Sequence, residues 1–533
     1  MPLERELKLR LAPDALRRLK RHPVIREQGR GTTLSERLVN SYFDSPEGRL
    51  RALGAGLRIR RSGAERRQTL KILKSEYARL LDSNGQGAGK EAANALHSYL
   101  EFEASIDGDQ PDLERMDDPE LKDQFRSEGL FERLEPVFTT DFHRYSHMLV
   151  EGESEIEFAL DEGEIRTGDR VEPLCEAELE LKSGRVSDLL RLALQLCEIE
   201  PLALEIRTKA QRGYTLSHAD GDLQADFGSK PGLNKKATVR EAFGELAAAG
   251  LSHLLGNVAA VEEGGSAKAL HQLRVSVRRL RALFKVHEPL LPAEIFTWFA
   301  NELRWFQQEL GPAREWDVFM DETLSPLRAR VPREASDELG RLRRQAQRRR
   351  DKAYSRARSA LQEPRFLHLI LHLQLFLEDG EWGSSDSTMK VRKFSKSVLD
   401  KRLKKLRKLA RNHDGMAEGD LHEIRIAGKK LRYAIEFYRS LYPRKQVKDY
   451  TACLVALQDS LGTLNDAVTG RRLLEELDTG RTRTGTAGRT VSPSYAHGLV
   501  QGWQAGLIER DLQDFLRIWQ QLEQQPPFWK KGG

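Results

Sequence analysis

Between positions 175 and 182 the chain reads Cys-Glu-Ala-Glu-Leu-Glu-Leu-Lys. Alternation with period two marks a β-strand, in which residues i, i+2 and i+4 point to one face. Glu176, Glu178, Glu180 and Lys182 would share that face, and Ala177, Leu179 and Leu181 the other. Neighbouring glutamates on it would stand about 6.5–7 Å apart, and a sheet tolerates such a row only where water or cations relieve it. The face must open to solvent or be enclosed with Lys, Arg or divalent metal. Alternation alone leaves both arrangements open.

The pattern recurs. Glu4, Glu6 and Lys8 face one way, with Leu3, Leu7 and Leu9 between them. Arg58 and Arg60 flank Ile59, and Glu101 and Glu103 flank Phe102. Strand-like segments are expected at 3–11, 37–43, 56–61, 67–74, 98–106, 141–150, 154–161 and 175–183. Turn chemistry at Asp44-Ser45-Pro46, Ser62-Gly63 and Asp161-Glu162-Gly163 separates several of them. Helices are expected at 13–21 and 186–197, and a loop at 82–94. Eight strands so spaced predict an antiparallel sandwich or closed barrel. A barrel with its apolar face outward would gather acidic and basic side chains inside. Oxygen ligands there suit Mg²⁺ or Mn²⁺, and facing Lys and Arg suit a ligand with several phosphates.

From about residue 236 helical periodicity replaces alternation, and basic runs such as RLRRQAQRRR (341–350) and KRLKKLRKLAR (401–411) appear. This half is duplicated. His271, Arg274, Arg278 and Arg281 are matched by His422, Arg425, Lys429 and Arg432 at an offset of 151 residues, and FQQELG ending at Gly311 returns at the same offset as LQDSLG ending at Gly462. On a helix each set forms one stripe, separate from the apolar side that carries Leu273, Val277, Leu280 and Phe284. A basic stripe on each of two facing helices would form a channel for a linear polyanion. Breaks are expected at 380–390 and 480–492, with a last helix over about 494–524.

At 533 residues two or three domains are expected. Three scattered cysteines give neither a disulfide framework nor a metal knuckle and fit a reducing compartment. The start is charged at once and no run of 18 apolar residues occurs, so a cytoplasmic protein without a membrane span is expected. No P-loop and no Ser-His-Asp or Cys-His arrangement is visible. Net charge is only +6, from 87 Lys and Arg against 81 Asp and Glu, so the basic helices reflect local segregation. Nucleic acid is disfavoured as their partner, because the basic runs lack interleaved aromatics and a helix-turn-helix signature.

In order and spacing, Glu4-x-Glu6-x-Lys8, Tyr42-Phe43-Asp44, Leu57-Arg58-Ile59-Arg60, Thr69-Leu70-Lys71, Asp161-Glu162-Gly163, Glu176-x-Glu178-x-Glu180-x-Lys182 and Lys209-x-x-Arg212-Gly213-Tyr214 resemble the CYTH family, the triphosphate tunnel metalloenzymes. The resemblance implies an eight-stranded antiparallel tunnel over residues 1–217, with flanking helices, that binds triphosphate and divalent metal. It places Glu4, Glu6, Glu176, Glu178 and Glu180 on the metal side. Lys8, Arg58, Arg60, Lys71, Arg144, Lys182, Lys209 and Arg212 become the phosphate clamp. Glu4, Glu6, Lys8 and Asp161 are the expected catalytic set, Asp161 holding the clamp or orienting water. Where relatives carry an arginine before the Glu101–Glu103 pair, Tyr99 stands here.

After a linker at 218–235, residues 236–528 resemble CHAD domains, through the two His-x-x-Arg helices and through Leu310-Gly311 with Arg314 and Asp317, echoed by Leu461-Gly462 with Asn465-Asp466. The resemblance implies an all-α domain of two related bundles, about 236–379 and 391–528, that binds inorganic polyphosphate with the two histidine–arginine stripes. Together the two resemblances imply an α+β multidomain chain, similar to bacterial inorganic triphosphatases, expected to hydrolyse inorganic triphosphate with Mg²⁺ or Mn²⁺. Polyphosphate granules are one place to find it. The alternatives are a non-catalytic polyphosphate sensor, or a nucleoside or thiamine triphosphatase or adenylyl cyclase on the same barrel.

Overall fold

The computed structural model describes residues 3–27, 29–81, 96–217, 223–264, 266–411, 418–482 and 495–530. The loop expected at 82–94 and most of the break at 480–492 lie outside the described residues. The chain divides into two compact units: residues 1–229 with 251–264 and 360–380, and residues 230–250, 265–359 and 381–533.

In the first unit eight antiparallel strands close into a barrel: β1 (Leu3–Arg10), β2 (Gly29–Asp44), β3 (Ala55–Ser62), β4 (Glu65–Leu73), β5 (Leu96–Ser105), β6 (Glu135–Glu151), β7 (Ser154–Thr167) and β8 (Arg170–Ser183). β1 closes the ring, pairing with β8 on one edge and β5 on the other, and a three-residue β9 (Ala203–Glu205) extends that second edge. Register sets the faces. Glu6 lies opposite Glu180 and Lys8 opposite Glu178, so their side chains point the same way as close cross-strand neighbours.

The other face is the hydrophobic core, and it points outward. Leu7, Leu9, Ala177 and Leu179 are fully buried, as are Leu189, Leu192 and Leu196 of the helix Val186–Ile199, which packs on β6–β8. On another flank Leu121 and Phe125 of the helix Pro119–Ser127 join Leu57, Ile59, Leu70 and Ile72. Helices thus cover the apolar exterior and leave the charged faces to line the lumen. The helices expected at 13–21 and 186–197 are Pro13–Leu19 and Val186–Ile199.

Asp161-Glu162-Gly163 is not a turn. It runs through the middle of β7, where a Cβ at Gly163 would lie 2.1 Å from the Asp141 carbonyl oxygen of β6. Glycine serves close strand approach here rather than a change of direction. Two other short motifs are also architectural. Asp44 accepts from the backbone amides of Ser45, Leu50 and Arg51, fixing the β2–β3 connection. At Gly213 any Cβ would meet the Phe138 ring at 2.1 Å, so only glycine lets the helix Lys209–Ser217 close on the barrel.

The second unit is helical, and the 151-residue offset governs its element starts. Ala267–His287 corresponds to Glu418–Tyr438, and Ala293 to Arg444 as first residues of the following helices. The copies meet at equivalent positions. His287 Nε2 lies 3.4 Å from the Tyr438 hydroxyl. Phe243 and Phe394, also 151 apart, pack on the His287 ring at 5.1 and 5.2 Å. The last helix is Tyr495–Gln524, and the 380–390 segment holds one 3₁₀ turn, Ser385–Thr388.

Because the core lies outside the barrel, Leu179→Ala should lower the unfolding free energy by about 2–5 kcal/mol in a urea titration. A loss below about 1 kcal/mol would mean that this face is not packed.

Candidate functional site

The lumen forms a cavity of about 870 Å³. Glu4, Glu6, Glu178 and Glu180 line it, as do Lys8, Arg58, Arg60, Lys71, Arg144, Lys182 and Lys209. Glu176, Asp161 and Arg212 are buried but do not line it.

These groups sort into two regions. At the closed end Lys209, on the plugging helix Lys209–Ser217, sends its ammonium among three carboxylates: Asp161 at 2.7 Å, Glu178 at 2.9 Å, and Glu176. Arg212, one turn on, donates to Glu176 at 2.9 Å and to Glu172 at 2.8 Å. Arg144 makes a two-bond fork on Asp161 at 2.8 and 2.6 Å and also reaches Glu178. Burial pushes Glu178 up, yet Lys209, Lys8 and Arg144 together hold it well below the ordinary carboxylate range. The oxygens of Asp161, Glu176 and Glu178 lie within 4.8 Å of one another, but the Lys209 ammonium already sits among them.

In the open part the charges are less well matched. Lys71 donates to both oxygens of Glu4, at 2.7 and 2.6 Å, and stands 3.5 Å from Glu101. Lys8 donates to Glu6 at 2.9 Å and also to Glu178. Lys182 bridges Glu180 at 2.7 Å and Glu157 at 2.9 Å. Burial raises the Glu4 carboxyl to about 7 despite Lys71, with Glu6 and Glu101 adding to the rise. Across the lumen the imbalance is reversed. Arg58 presses on Arg60 and, with burial, brings it down to about 10. The nearest carboxylate to Arg58 is Glu101 at 3.8 Å, its buried Nε has no partner, and among the described residues no carboxylate lies within ion-pair distance of Arg60. One wall thus carries excess carboxylate and the other excess guanidinium.

Several lumen residues were given no site role in the sequence reading. Tyr42 stacks on Phe138 with centroids 4.5 Å apart and faces Arg58. Tyr99 and Glu157 also line the cavity. Asn40, fully buried on the same inner face but not lining the cavity, accepts from Arg60 Nε at 3.1 Å. Asn40 and Tyr42 do alternate within β2, but only the β2–β3 register shows that they oppose Arg60 and Arg58.

In the helical unit the two histidine helices bring Arg278 beside Arg425 and Lys429. Burial and these arginines lower the Lys429 ammonium to about 7. Burial, Arg314, Arg278 and Arg274 bring the His271 imidazole to about 4. Arg274 donates to the carbonyls of Leu310, at 3.1 Å, and Gly311. Arg281 donates to Gln307 at 2.6 Å, and Arg432 stands 3.4 Å from Glu436. The buried Nε atoms of Arg278, Arg425 and Arg432 have no hydrogen-bond partner. His422 is exposed.

Residues 2–214 match the family model of the CYTH domain, and residues 245–475 that of the CHAD domain. The chain is a CYTH–CHAD protein. It is 32% identical over 180 residues to a Haemophilus influenzae protein named inorganic triphosphatase, a match that covers 34% of this chain and 46% of that one. It is 26% identical over 254 residues to an uncharacterized protein of Mycobacterium tuberculosis, covering 45% of each. The chain spans about half the length of the curated relatives it matches. Among solved structures, the CHAD domain of the plant Ricinus communis is 28% identical with a TM-score of 0.48, covering 57% of this chain and 98% of that one. Among the described residues, no helix is long and apolar enough to cross a membrane.

The raised Glu4 carboxyl has a consequence for stability. A carboxyl whose folded value (about 7) exceeds its unfolded value (4.5) contributes stability that is full below the lower value and lost as pH rises through the higher. Without divalent cation, the fall in thermal midpoint between about pH 5 and about pH 8 should be shallower in Glu4→Gln than in wild type. Equal slopes would contradict the burial-driven rise.

Proposed function

We propose that the tunnel hydrolyses inorganic triphosphate with the help of a divalent cation, and that the helical unit binds inorganic polyphosphate. One observation carries the first part: among the described residues Arg60 has no carboxylate partner and Arg58 has only Glu101, at 3.8 Å, across a lumen whose other wall holds closely spaced carboxylates. A triphosphate with its cation would fill both deficits at once. The arginine forks would meet phosphate oxygens, and the carboxylates would hold the metal.

The donor set fits Mg²⁺ or Mn²⁺. Glu4 and Glu6 offer oxygen ligands and Glu180 lies opposite Glu6 in the sheet, whereas Glu178, which lines the same cavity, already has both oxygens held by Lys8, Lys209 and Arg144. When bound, such a cation neutralises charge on the phosphoryl oxygens and makes water a better nucleophile. Glu176 is assigned instead to holding the plug, since Lys209 and Arg212 already claim its oxygens. Asp161 belongs with it, aligning Arg144 and Lys209 from outside the cavity rather than orienting water.

The chain's own residues then do the positioning that phosphoryl transfer requires. Arg58, Arg60 and Lys71 hold the phosphate chain. Lys8, between Glu6 and Glu178, stands where it can shift from carboxylate to phosphate as negative charge arrives. The inorganic triphosphatase relative supports this reading of the substrate. In the helical unit, the convergence of Arg278, Arg425 and Lys429 supports a groove for a linear phosphate polymer. His271, Arg274, Arg281, His422 and Arg432 belong to the proposed stripes.

Phosphate release from tripolyphosphate, ATP, thiamine triphosphate and long-chain polyphosphate, each with Mg²⁺ or Mn²⁺, tests the first part. Tripolyphosphate should be the preferred substrate, and Glu4→Ala combined with Glu6→Ala should lower the rate more than about a hundredfold with the fold intact. Survival of hydrolysis in that variant would contradict the reading. For the second part, Arg278→Ala combined with Arg425→Ala should weaken long-chain polyphosphate at fixed salt by about tenfold or more. RNA at equal phosphate concentration should fail to displace the polymer from the wild-type chain. Undiminished affinity in the variant, or ready displacement by RNA, would contradict it.

A further inference from the structure

Two successive layers of the barrel pair an arginine of β3 with an uncharged residue of β2: Arg60 lies opposite Asn40, and Arg58 opposite Tyr42. The Asn40 layer is built with care. Asn40 and Thr140 are both fully buried. They are register partners on β2 and β6, and Asn40 Nδ2 donates to Thr140 Oγ1 at 2.8 Å. Arg60 Nε can only donate, so it fixes which way the amide faces, and the Thr140 hydroxyl, able to accept, takes the amide N–H. The amide oxygen faces β3, where it accepts from Arg60 Nε at 3.1 Å. Arg60 itself lines the cavity, whereas Asn40 and Thr140 do not.

A guanidinium held through Nε keeps both terminal nitrogens for a second partner, in the fork geometry that suits phosphate. The choice of acceptor matters as much as the bond. A carboxylate at position 40 would also orient Arg60 but would neutralise it. An amide oxygen orients the group and leaves its full charge for an incoming anion. We propose that Asn40, held by Thr140, is a positioning residue that aims Arg60 into the lumen with its charge unneutralised and so sets the tunnel's affinity for the phosphate chain. The proposal rests on the triphosphatase reading and adds to it a residue that never touches substrate.

Steady-state hydrolysis of tripolyphosphate separates the possibilities. Asn40→Asp preserves size, and the new carboxylate can pair with Arg60 and accept from the Thr140 hydroxyl, so the barrel should hold. KM should rise about tenfold or more while kcat stays within about threefold, because a neutralised Arg60 binds the substrate more weakly but the reacting end is unchanged. Asn40→Ala, which releases Arg60 without neutralising it, should raise KM less than Asn40→Asp does. If Asn40 served only to brace the sheet, Asn40→Asp would keep the wild-type KM, since it replaces a hydrogen bond with an ion pair. That outcome, or a fall in kcat at constant KM, would overturn the proposal while leaving the triphosphatase reading in place. A wild-type chain that neither binds nor hydrolyses tripolyphosphate would overturn both.

Discussion

Carboxylates and cations enclosed in one lumen can stay charged only by facing each other, and this constraint shapes the N-terminal unit. Moving an ion out of water costs several kcal/mol even after relaxation, so each buried charge needs a partner or a shifted protonation state. The closed end meets the condition with protein alone: Lys209, Arg144 and Arg212 answer Asp161, Glu176 and Glu178. The open part does not. Glu4 drifts toward the neutral form, while Arg58 and Arg60 repel each other across from it. Under the proposed function, a metal–triphosphate complex, which carries both signs, would complete both walls.

The same logic in weaker form runs through the helical unit. Its two copies meet at an aromatic centre made by Phe243, His287, Phe394 and Tyr438. That packing sets the register of the two histidine helices and brings Arg278 against Arg425 and Lys429. Like charges are thus forced together by apolar contacts elsewhere, leaving a surface whose repulsion a polyanion would relieve. Buried His287, unlike His271, belongs to the packing rather than to the proposed groove.

Period-two alternation made the eight strands legible, because no helix satisfies that pattern, but it left sandwich and barrel open, and only the family resemblance pointed to a closed tunnel. The duplicated stripe made the helical half legible in the same way. Single strands could not show who faces whom. Asn40 and Tyr42 became part of the site only through the β2–β3 register, which depends on contacts between residues about twenty positions apart. Glu176 shares its face with Glu178 and Glu180, yet it falls behind the plug while they line the cavity, a difference of depth that alternation does not encode. Gly163 misled for a related reason: a glycine that accommodates a neighbouring strand looks, in one dimension, like a glycine that turns the chain.

The most direct measurement is anomalous scattering from Mn²⁺ in crystals of the chain soaked with a slowly hydrolysed tripolyphosphate analogue. The expected result is metal density beside Glu4 and Glu6, with the phosphate chain lying between it and Arg58 and Arg60. Metal and anion bound only outside the barrel, with the lumen's charges still paired among themselves, would contradict the proposed function at its root.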